Sequence, residues 1–304
     1  MAHEGPTVTT ESFVPFSSNR RRALQMAAGL ALAARAGIGS AQTPAQAQAH
    51  AGEPAGEDAA LRAAIDSPQR SEAFRARDGA RHPYETLRFF GIAPQLSVIE
   101  IAPGGGWYTE ILAPYLRERG RFCAAHYAAD DPNEGRRKAR AAFDAKLKQK
   151  PGVYDRVVVG SLPDSRHGFN NLSVPGGADM VLTFRNVHNW IEGGYLDEML
   201  RAFAGALKTG GVLGVEEHRA PAGTPIDRVV KTGYVPEQLV IDRAEAAGFK
   251  LVARSEVNAN PRDTKDHVNG VWSLPPTLQG GAADREKYLA IGESDRMTLK
   301  FVRA

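Results

Sequence analysis

Two short polar segments carry the side chains that could do acid–base chemistry or bind an anion. Each follows an apolar run that reads as a buried strand. The first, after residues 180–184, contains Arg185, Asn186, His188, Asn189 and Trp190. The second, after residues 212–216, contains Glu217, His218 and Arg219. Polar residues on loops at strand ends are where the sites of α/β proteins form, so this cluster is a candidate site.

These residue types suggest specific roles in that cluster. An imidazole titrates near neutral pH, so His188 or His218 is the candidate general base. Arg185 or Arg219 is the candidate anion binder, because a guanidinium carries a permanent charge and several donors. A histidine can equally be a structural hydrogen-bonding group, and Trp190 fits core packing as well as a pocket wall. The sequence leaves these alternatives open.

A glycine-rich turn is the other candidate for ligand binding. Residues 100–108 read Glu-Ile-Ala-Pro-Gly-Gly-Gly-Trp-Tyr and join a predicted strand to a predicted helix. Gly104 and Gly106 allow a ligand to approach the backbone closely, since glycine has no Cβ. Such a turn also points backbone N–H groups at the ligand. The dinucleotide pattern needs Gly or Ala where Thr109 stands, so a pyrophosphate-bearing cofactor is disfavoured.

An alternating series of strands and helices must position these residues. The predicted strands cover residues 97–102, 122–126, 156–159, 180–184, 212–216, 250–257 and 296–302. Helical patterns are predicted over residues 58–65 and 71–77. Further predicted helices cover residues 83–90, 107–116, 133–150, 195–207 and 236–247, and Gly210-Gly211 is expected to end the helix over residues 195–207. This alternation predicts βαβ units and a mainly parallel sheet, with ligands at the carboxyl ends of its strands. No clear helical crossover separates the last two strands, so the final strand is predicted to be antiparallel.

The glycine turn resembles motif I of class I S-adenosylmethionine (SAM)-dependent methyltransferases. Glu100 is the acidic residue of that motif, and Ala102 replaces its first glycine. The class I pattern of alternating strands and helices extends over nearly all of the chain after residue 57. More closely, four segments resemble a family of predicted exported methyltransferases: residues 81–87, 104–108, 184–190 and 291–297.

The resemblance implies a Rossmann-like α/β fold, with a mostly parallel seven-stranded sheet, an antiparallel last strand and helices on both faces. It implies SAM as the cofactor and no metal. The implied cofactor contacts are Glu100, Ala102, Gly104, Gly105, Gly106, Trp107 and His126. His126 stands where the family usually has an acidic residue for the ribose hydroxyls, with Asp130 and Asp131 a few residues on. Gly160 and Ser161 stand where an acidic residue often contacts adenine, with Asp164 a little later.

The first residues read as an export signal. Arg20-Arg21-Arg22 precede an apolar run over residues 24–34, which has the length of a signal-peptide core and is too short to span a bilayer. Residues 1–41 are therefore predicted to be a twin-arginine (Tat) signal peptide, with the Sec route as the alternative. Residues 42–57 are predicted to be a low-complexity tail, and residues 58–304 the methyltransferase-like domain. The expected location is periplasmic or secreted, with the export machinery as partner of the precursor.

Charge and composition exclude several classes of protein. The full chain has a net charge of +3, and residues 1–50 contain four arginines and two glutamates, which leaves the remainder almost neutral. A nucleic-acid binder needs a strongly basic surface, so that class is disfavoured. No apolar stretch after the leader is long enough for an integral membrane segment. The single cysteine, Cys123, cannot form an intramolecular disulfide, and no Cys/His cluster has zinc spacing.

The function expected from the sequence is a SAM-dependent methyltransferase that acts on a small molecule in the periplasm. One alternative is a non-catalytic ligand-binding protein on the same fold, because His126 and Gly160 replace the acidic residues that usually bind SAM. A further alternative is an exported nucleotide-dependent oxidoreductase, which the failed dinucleotide pattern disfavours. A dense polar segment over residues 258–267 is interpreted as a lid or a partner surface.

Overall fold

A computed structural model of the protein describes residues 56–169, 171–280 and 284–304. The predicted signal peptide and residues 42–55 of the predicted tail lie outside the described residues. No helix within the described ranges is long and apolar enough to cross a membrane.

Seven strands form one sheet in the order β3-β2-β1-β4-β5-β7-β6. The strands are β1 Ser97–Ile101, β2 Arg121–His126, β3 Val157–Ser161, β4 Ala178–Phe184, β5 Leu207–His218, β6 Phe249–Ser255 and β7 Arg296–Arg303. The pairs from β3 to β5 are parallel, whereas β7 runs antiparallel to both β5 and β6. The predicted sheet, including its antiparallel last strand, is confirmed.

Twelve α-helices surround the sheet within the described ranges. They are α1 Ala59–Ile65, α2 Glu72–Arg75, α3 Asp78–Arg81, α4 Pro83–Phe90, α5 Thr109–Leu116, α6 Glu134–Gln149, α7 Pro151–Tyr154, α8 Val187–Gly193, α9 Leu196–Ala206, α10 Ile226–Thr232, α11 Glu237–Ala246 and α12 Arg285–Ile291. A short 3-10 turn covers Gly270–Ser273. The helices expected from the sequence are present, whereas the short α3, α7, α8, α10 and α12 were not anticipated.

Side chains that alternate along each strand build one hydrophobic core on each face of the sheet. On β1, Ile99 and Ile101 join the core formed with α8, α9 and α11, whereas Val98 joins the core formed with α1, α4 and α5. On β4, Val181 joins the first of these cores and Leu182 joins the second. Successive strand residues point to opposite faces, so burial on both faces requires the nearly continuous apolar runs seen in the sequence.

Local sequence explains where most helices begin and end. Pro83 occupies the first position of α4, and Gly91 after its last turn has a φ of 84°, the left-handed conformation that glycine adopts at helix ends. Asn133 caps α6 by accepting a hydrogen bond from the backbone N–H of Arg136. The expected end of α9 was wrong. The helix stops at Ala206, and Gly210-Gly211 lies inside β5, because pairing with β4 already begins at Leu207.

The antiparallel β5–β7 pairing decides which residues meet at the carboxyl end of β5. His218 lies opposite Arg296, and Glu216 lies opposite Thr298. The segment that leads into β7 is thereby placed beside the polar residues that follow β4 and β5. Residues more than 70 positions apart in the sequence therefore share one edge of the sheet.

Candidate functional site

The glycine turn after β1 adopts a run of left-handed conformations. The φ values are 49° at Ala102, 56° at Gly104 and 85° at Gly106. A Cβ at Gly104 would meet no atom within 4 Å, whereas one at Gly106 would lie 3.1 Å from the Phe143 ring. A Cβ at Gly105 would contact Phe74 at 3.5 Å. Gly104 is therefore the position in this turn where another molecule can approach the backbone.

Glu100 supports the turn from inside the protein. Its carboxyl group is buried and accepts a 2.7 Å hydrogen bond from the hydroxyl of Thr109, the first residue of α5. Burial raises the pKa of Glu100 to about 7, because a charged carboxylate is poorly solvated there. The side chain thus joins β1 to α5 on either side of the glycine turn.

His126, at the end of β2, supports the same turn. The backbone N–H of Tyr127 donates to its Nδ1 at 2.8 Å, so the ring proton is on Nε2, which lies 3.2 Å from the carbonyl oxygen of Gly104. The ring is buried and packs against Phe143 at 4.9 Å between centroids. Burial lowers the pKa of His126, which favours the neutral imidazole. Both ring nitrogens are engaged by the protein itself.

The nearby aspartates are held by their own loops. Asp131 is buried and accepts a hydrogen bond from the backbone of Asn133, two residues on. Asp164 accepts bonds from the backbone N–H groups of Arg166 and His167. These two carboxylates therefore accept hydrogen bonds from backbone N–H groups of the turns that contain them.

Trp107 packs beneath the N-terminal helices. Its Nε1–H donates to the carbonyl oxygen of Phe74 at 2.9 Å, and the guanidinium of Arg81 lies 4.8 Å from the centroid of its ring. Lys146 of α6 closes the other side of the turn, since its Nζ donates to the carbonyl of Gly105 at 2.8 Å. The turn is therefore enclosed by α2, α6 and β2, and Gly104 alone of its three glycines adjoins open space.

His188 and Glu217 form a tightly bonded pair between α8 and the end of β5. Nδ1 of His188 lies 3.0 Å from Oε1 of Glu217, which also accepts the backbone N–H of His218 at 2.8 Å. Oε2 of Glu217 accepts the backbone N–H groups of Val187 and His188, at 2.5 and 3.3 Å. A carboxylate only accepts hydrogen bonds, so Nδ1 of His188 carries a proton, and Nε2 is the ring nitrogen that Glu217 does not contact.

His218 lies beside this pair with a different set of partners. Its Nδ1 is 2.5 Å from the hydroxyl oxygen of Ser294, and its ring centroid is 5.4 Å from that of His188. Burial, and after it the proximity of His188 and Arg185, lower the pKa of His218 well below its usual range. His218 is therefore a neutral imidazole at physiological pH. Trp272 packs edge-on against His188 at 6.1 Å, and Tyr234 against His218 at 6.4 Å.

The three side chains His188, Glu217 and His218 could also be considered as metal ligands, because one ligating atom from each lies within 4.8 Å of the others. The hydrogen bonds argue against that use of Glu217. A carboxylate has about four acceptor positions, and four N–H groups already occupy them. The geometry instead fits a histidine that is oriented by a buried carboxylate.

The two candidate anion binders differ in what they contact. Arg219 forms paired hydrogen bonds with Asp295 and with Glu256, at 2.7 to 3.0 Å. Arg185 contacts one carboxylate, Glu216, at 3.1 Å. Its backbone has a φ of 60°, a left-handed conformation that is uncommon for a residue other than glycine and that is found at functional sites.

Burial describes the surroundings of two other features that the sequence pointed to, Trp190 and the polar segment over residues 258–267. Trp190 is a core residue, packed against Phe203 with ring centroids 5.4 Å apart. In the polar segment over residues 258–267, Asn258, Asp263 and His267 are buried and hydrogen-bonded to one another or to neighbouring elements, so its use as a lid or a partner surface stays a prediction. Its polar side chains complete the packing around the start of β7.

Comparison with solved structures places this chain on the Rossmann-like class I methyltransferase fold. The [4+2]-cyclase SpnF is 18% identical with a TM-score of 0.50, over 78% of this chain and 84% of that one. A SAM-dependent methyltransferase from Aquifex aeolicus is 15% identical with a TM-score of 0.48, over 79% and 97%. The glycopeptide N-methyltransferase MtfA, also solved with SAM and with sinefungin, is 14% identical with a TM-score of 0.47, over 77% and 100%. At these identities the likeness concerns the fold. No protein-family model and no curated protein matches the sequence.

Sequence reasoning missed several residues that the fold brings to this site. Glu217 was noted only as a neighbour of His218, and Ser294 lay inside a resembling segment without an assigned role. Arg77 and Arg81, one helical turn apart in the sequence, also approach the cluster. Their spacing of four residues was the one local signal that could have marked them as a pair, although Arg77 lies just before α3 and not within it.

Proposed function

We propose that this chain is a SAM-dependent methyltransferase that acts on a small molecule. The observation that carries the proposal is a juxtaposition at one edge of the sheet. The open, left-handed Gly104 follows β1, and His188 is held by Glu217 at the end of β5. Ligands of open α/β sheets bind at the carboxyl ends of the strands. Solved neighbours of the same fold include proteins named as methyltransferases.

The residues of the turn fit SAM as the cofactor. Ala102 and Gly104 supply the left-handed backbone, and the open space at Gly104 admits a group without a steric conflict. Bound SAM supplies a methyl group on a sulfonium, which is the electrophile of the reaction. His126 does not offer a free group to the ribose, since both of its nitrogens are engaged. The cofactor contacts then come mainly from the backbone.

The proposed chemistry is an in-line transfer assisted by His188. Bound SAM would supply the methyl group to the acceptor heteroatom and would leave as S-adenosylhomocysteine, and Nε2 of His188 would take the proton that the acceptor loses. Glu217 orients the ring, because it accepts the hydrogen bond from Nδ1, and it stabilises the positive charge that forms when Nε2 takes up the proton. The products are the methylated acceptor and S-adenosylhomocysteine.

Calorimetric titration of the purified protein with SAM, S-adenosylhomocysteine and NAD(P) tests the cofactor assignment. We expect binding of SAM and S-adenosylhomocysteine and no binding of NAD(P). Absence of heat with both sulfur compounds up to millimolar concentration overturns the proposal. Binding of NAD(P) alone would instead support the oxidoreductase interpretation.

A ligand-binding protein without methyl transfer is the second candidate. It is favoured by His126, whose ring nitrogens both form hydrogen bonds within the protein and so are not free for a cofactor. It is also favoured by the fold shared with a protein named as a [4+2]-cyclase. In that case His188→Gln should weaken ligand affinity, whereas a methyltransferase should keep its SAM affinity and lose turnover. One fold can support several functions, so the effects of His188→Gln on affinity and on turnover decide between the two candidates.

We also propose that the protein is exported to the periplasm or secreted, as in the family of predicted exported methyltransferases that its motifs resemble. The support is the arginine run at residues 20–22 followed by the apolar run at residues 24–34. Tat export carries folded proteins, so a cofactor made in the cytoplasm could leave the cell already bound.

A further inference from the structure

Four arginines and two glutamates form a compact cluster next to the proposed acceptor site. They come from four separate parts of the chain, and they are Arg77, Arg81, Arg185, Glu216, Glu293 and Arg296. None of these ion pairs was anticipated from the sequence. We call this group the arginine cluster.

Each carboxylate in the arginine cluster is shared between arginines. Glu216 lies 3.1 Å from Nη1 of Arg185 and 3.2 Å from Nη1 of Arg296. Glu293 lies 2.7 Å from Nε of Arg77, and 3.1 Å both from Nε of Arg81 and from Nη1 of Arg296. Glu216 is wholly buried, and the side chains of Arg296 and Arg81 are 2% and 4% exposed.

The arginine cluster carries more positive than negative charge. Four guanidinium groups meet two carboxylates, and the charge of Glu217 at longer range does not restore the balance. Buried ions are stable only when they are paired, so such an excess is costly without a further anion. Nη2 of Arg77 and Nε of Arg296 are buried and find no acceptor among the described residues.

The electrostatic effects on Arg81 and Glu293 agree with this imbalance, whereas Glu216 and Glu293 outweigh burial at Arg185 and raise its pKa. Burial, and after it the positive charge of Arg185, lowers the pKa of Arg81. Glu293 responds in the opposite direction, since its arginine neighbours outweigh the effect of burial and lower its pKa to about 2. Burial lowers the pKa values of Arg77 and Arg81, so a bound anion would stabilise the charged forms of these two guanidinium groups.

The cluster also lies beside both parts of the proposed site. Arg81 stacks on Trp107 directly after the glycine turn, and the charges of Arg185, Arg296 and Arg81 act on His218. The cluster therefore lies between the proposed cofactor turn and the histidine pair. Arg77 and Arg185 are 22% and 20% exposed, so they form its accessible side.

We propose that Arg77 and Arg185, backed by the buried Arg81 and Arg296, bind a carboxylate or phosphate group of the methyl acceptor, which makes the acceptor an anionic small molecule. This assignment of substrate class rests on the proposed methyltransferase function. The same anion chemistry could come from the amino-acid carboxylate of SAM, and the experiment separates the two sources.

Inorganic phosphate is the probe, titrated into the native protein and into Arg77→Gln and Arg185→Gln at constant ionic strength. We expect phosphate to bind the native protein and to lose at least about tenfold in affinity in each variant, because charge-assisted bonds are removed. Arg117→Gln is the matched control, since Arg117 is 25% exposed and is paired with Asp155 and Glu118 elsewhere on the surface. Arg77→Lys, checked for folding by near-ultraviolet circular dichroism, keeps the test valid if the glutamine variants misfold, and it should retain most of the affinity.

A second titration identifies the source of the anion. We expect phosphate to bind equally with and without saturating S-adenosylhomocysteine, and the affinity for S-adenosylhomocysteine to be unchanged in Arg77→Gln. Competition between the two, or a variant that loses affinity for S-adenosylhomocysteine but not for 5′-methylthioadenosine, which lacks the carboxylate, assigns the cluster to the cofactor and overturns the acceptor assignment.

Two further outcomes separate the two proposals. If native protein binds no phosphate up to about 50 mM, where even millimolar affinity would be detected, the anion site is refuted while the methyltransferase can stand. If phosphate binds as expected but neither SAM nor S-adenosylhomocysteine does, the anion site is supported and the methyltransferase is refuted.

Discussion

At the level of single residues, the two histidines of the site differ in what surrounds them. His188 shares its Nδ1 proton with the buried Glu217, whereas His218 contacts a neutral serine and faces several positive charges. A base must accept a proton during the reaction, and a nearby carboxylate stabilises the charge that this creates. His188 is therefore the candidate base, and His218 is better suited to remain neutral and donate or accept a hydrogen bond.

Substitution of His188 by Gln should lower turnover and leave cofactor affinity intact. A general base contributes about 10²- to 10⁴-fold in rate, and this residue is proposed to face the acceptor. The measurements are turnover on an acceptor and calorimetric affinity for S-adenosylhomocysteine, with His167→Gln as a surface control. A parallel loss of affinity and turnover would contradict the assignment of His188 to the acceptor side.

The low pKa of His218 predicts a loss of stability in mild acid. The unfolded chain binds a proton on this residue as the pH falls through about 6.5, whereas the folded protein resists protonation. Unfolding therefore takes up a proton, and the free energy of unfolding should fall by about 1–2 kcal/mol between pH 7 and pH 5. Denaturant melts of the native protein and of His218→Gln measure this contribution, which the variant should lack.

His167 provides a control of opposite sign for that experiment. Its hydrogen bond to Asp164 raises its pKa, so the folded protein binds this proton more readily than the unfolded chain. Removing His167 should therefore increase, and not decrease, the loss of stability in acid. Identical pH profiles for the native protein and His218→Gln would show that His218 is not held neutral in the fold.

At the level of elements, the glycine turn is shaped by the segments that close over it. Thr109 of α5 holds Glu100 below the turn, and Phe143 of α6 packs against Gly106. A bulky residue at Gly106 would therefore disturb the packing of α6 as well as any ligand. Gly104 is the better position for a probe, because a side chain there enters open space.

We expect Gly104→Asn to weaken S-adenosylhomocysteine binding by at least about tenfold, which corresponds to ~1.4 kcal/mol, without loss of the fold. Asparagine tolerates the left-handed φ of 56°, so its side chain can extend toward the ligand with little backbone strain. Gly105→Ala is the matched control, because its methyl group would make an ordinary contact with Phe74. Calorimetry and thermal melts are the measurements. Equal affinities in the two variants would place the cofactor elsewhere.

At the level of the whole molecule, the chain has a positively charged N-terminal segment, which is predicted to be a signal peptide, before a nearly neutral remainder. Replacing Arg21 and Arg22 by Lys should leave unprocessed precursor in the cytoplasm, because the Tat route requires the arginine pair. Immunoblots of cell fractions measure the distribution, with a variant of Arg35, which lies just beyond the apolar run, as control. Unchanged export and processing would favour the Sec route.

The sequence by itself determined the framework of this protein. Each strand and each long helix is encoded in a stretch of about 5 to 18 residues by the period of its apolar side chains, by a proline at its start or by a glycine at its end. These signals act locally, so β1 to β7 and the glycine turn could be predicted without coordinates. The antiparallel β7 also followed, since no helix of crossover length precedes it.

Only the tertiary structure decided how the polar residues are used. Glu217 meets the N-terminus of α8, 30 residues earlier, and Arg77 meets Glu293 across more than 200 residues. No local pattern encodes such pairs, because they depend on which strands are neighbours and on the register of β5 with β7. The hydrogen bond between His126 and Gly104 was unpredictable for the same reason, because it depends on β1 and β2 being neighbours in the sheet. Periodicity specifies elements, whereas the charge and hydrogen-bonding state of a side chain is set by its neighbours in space.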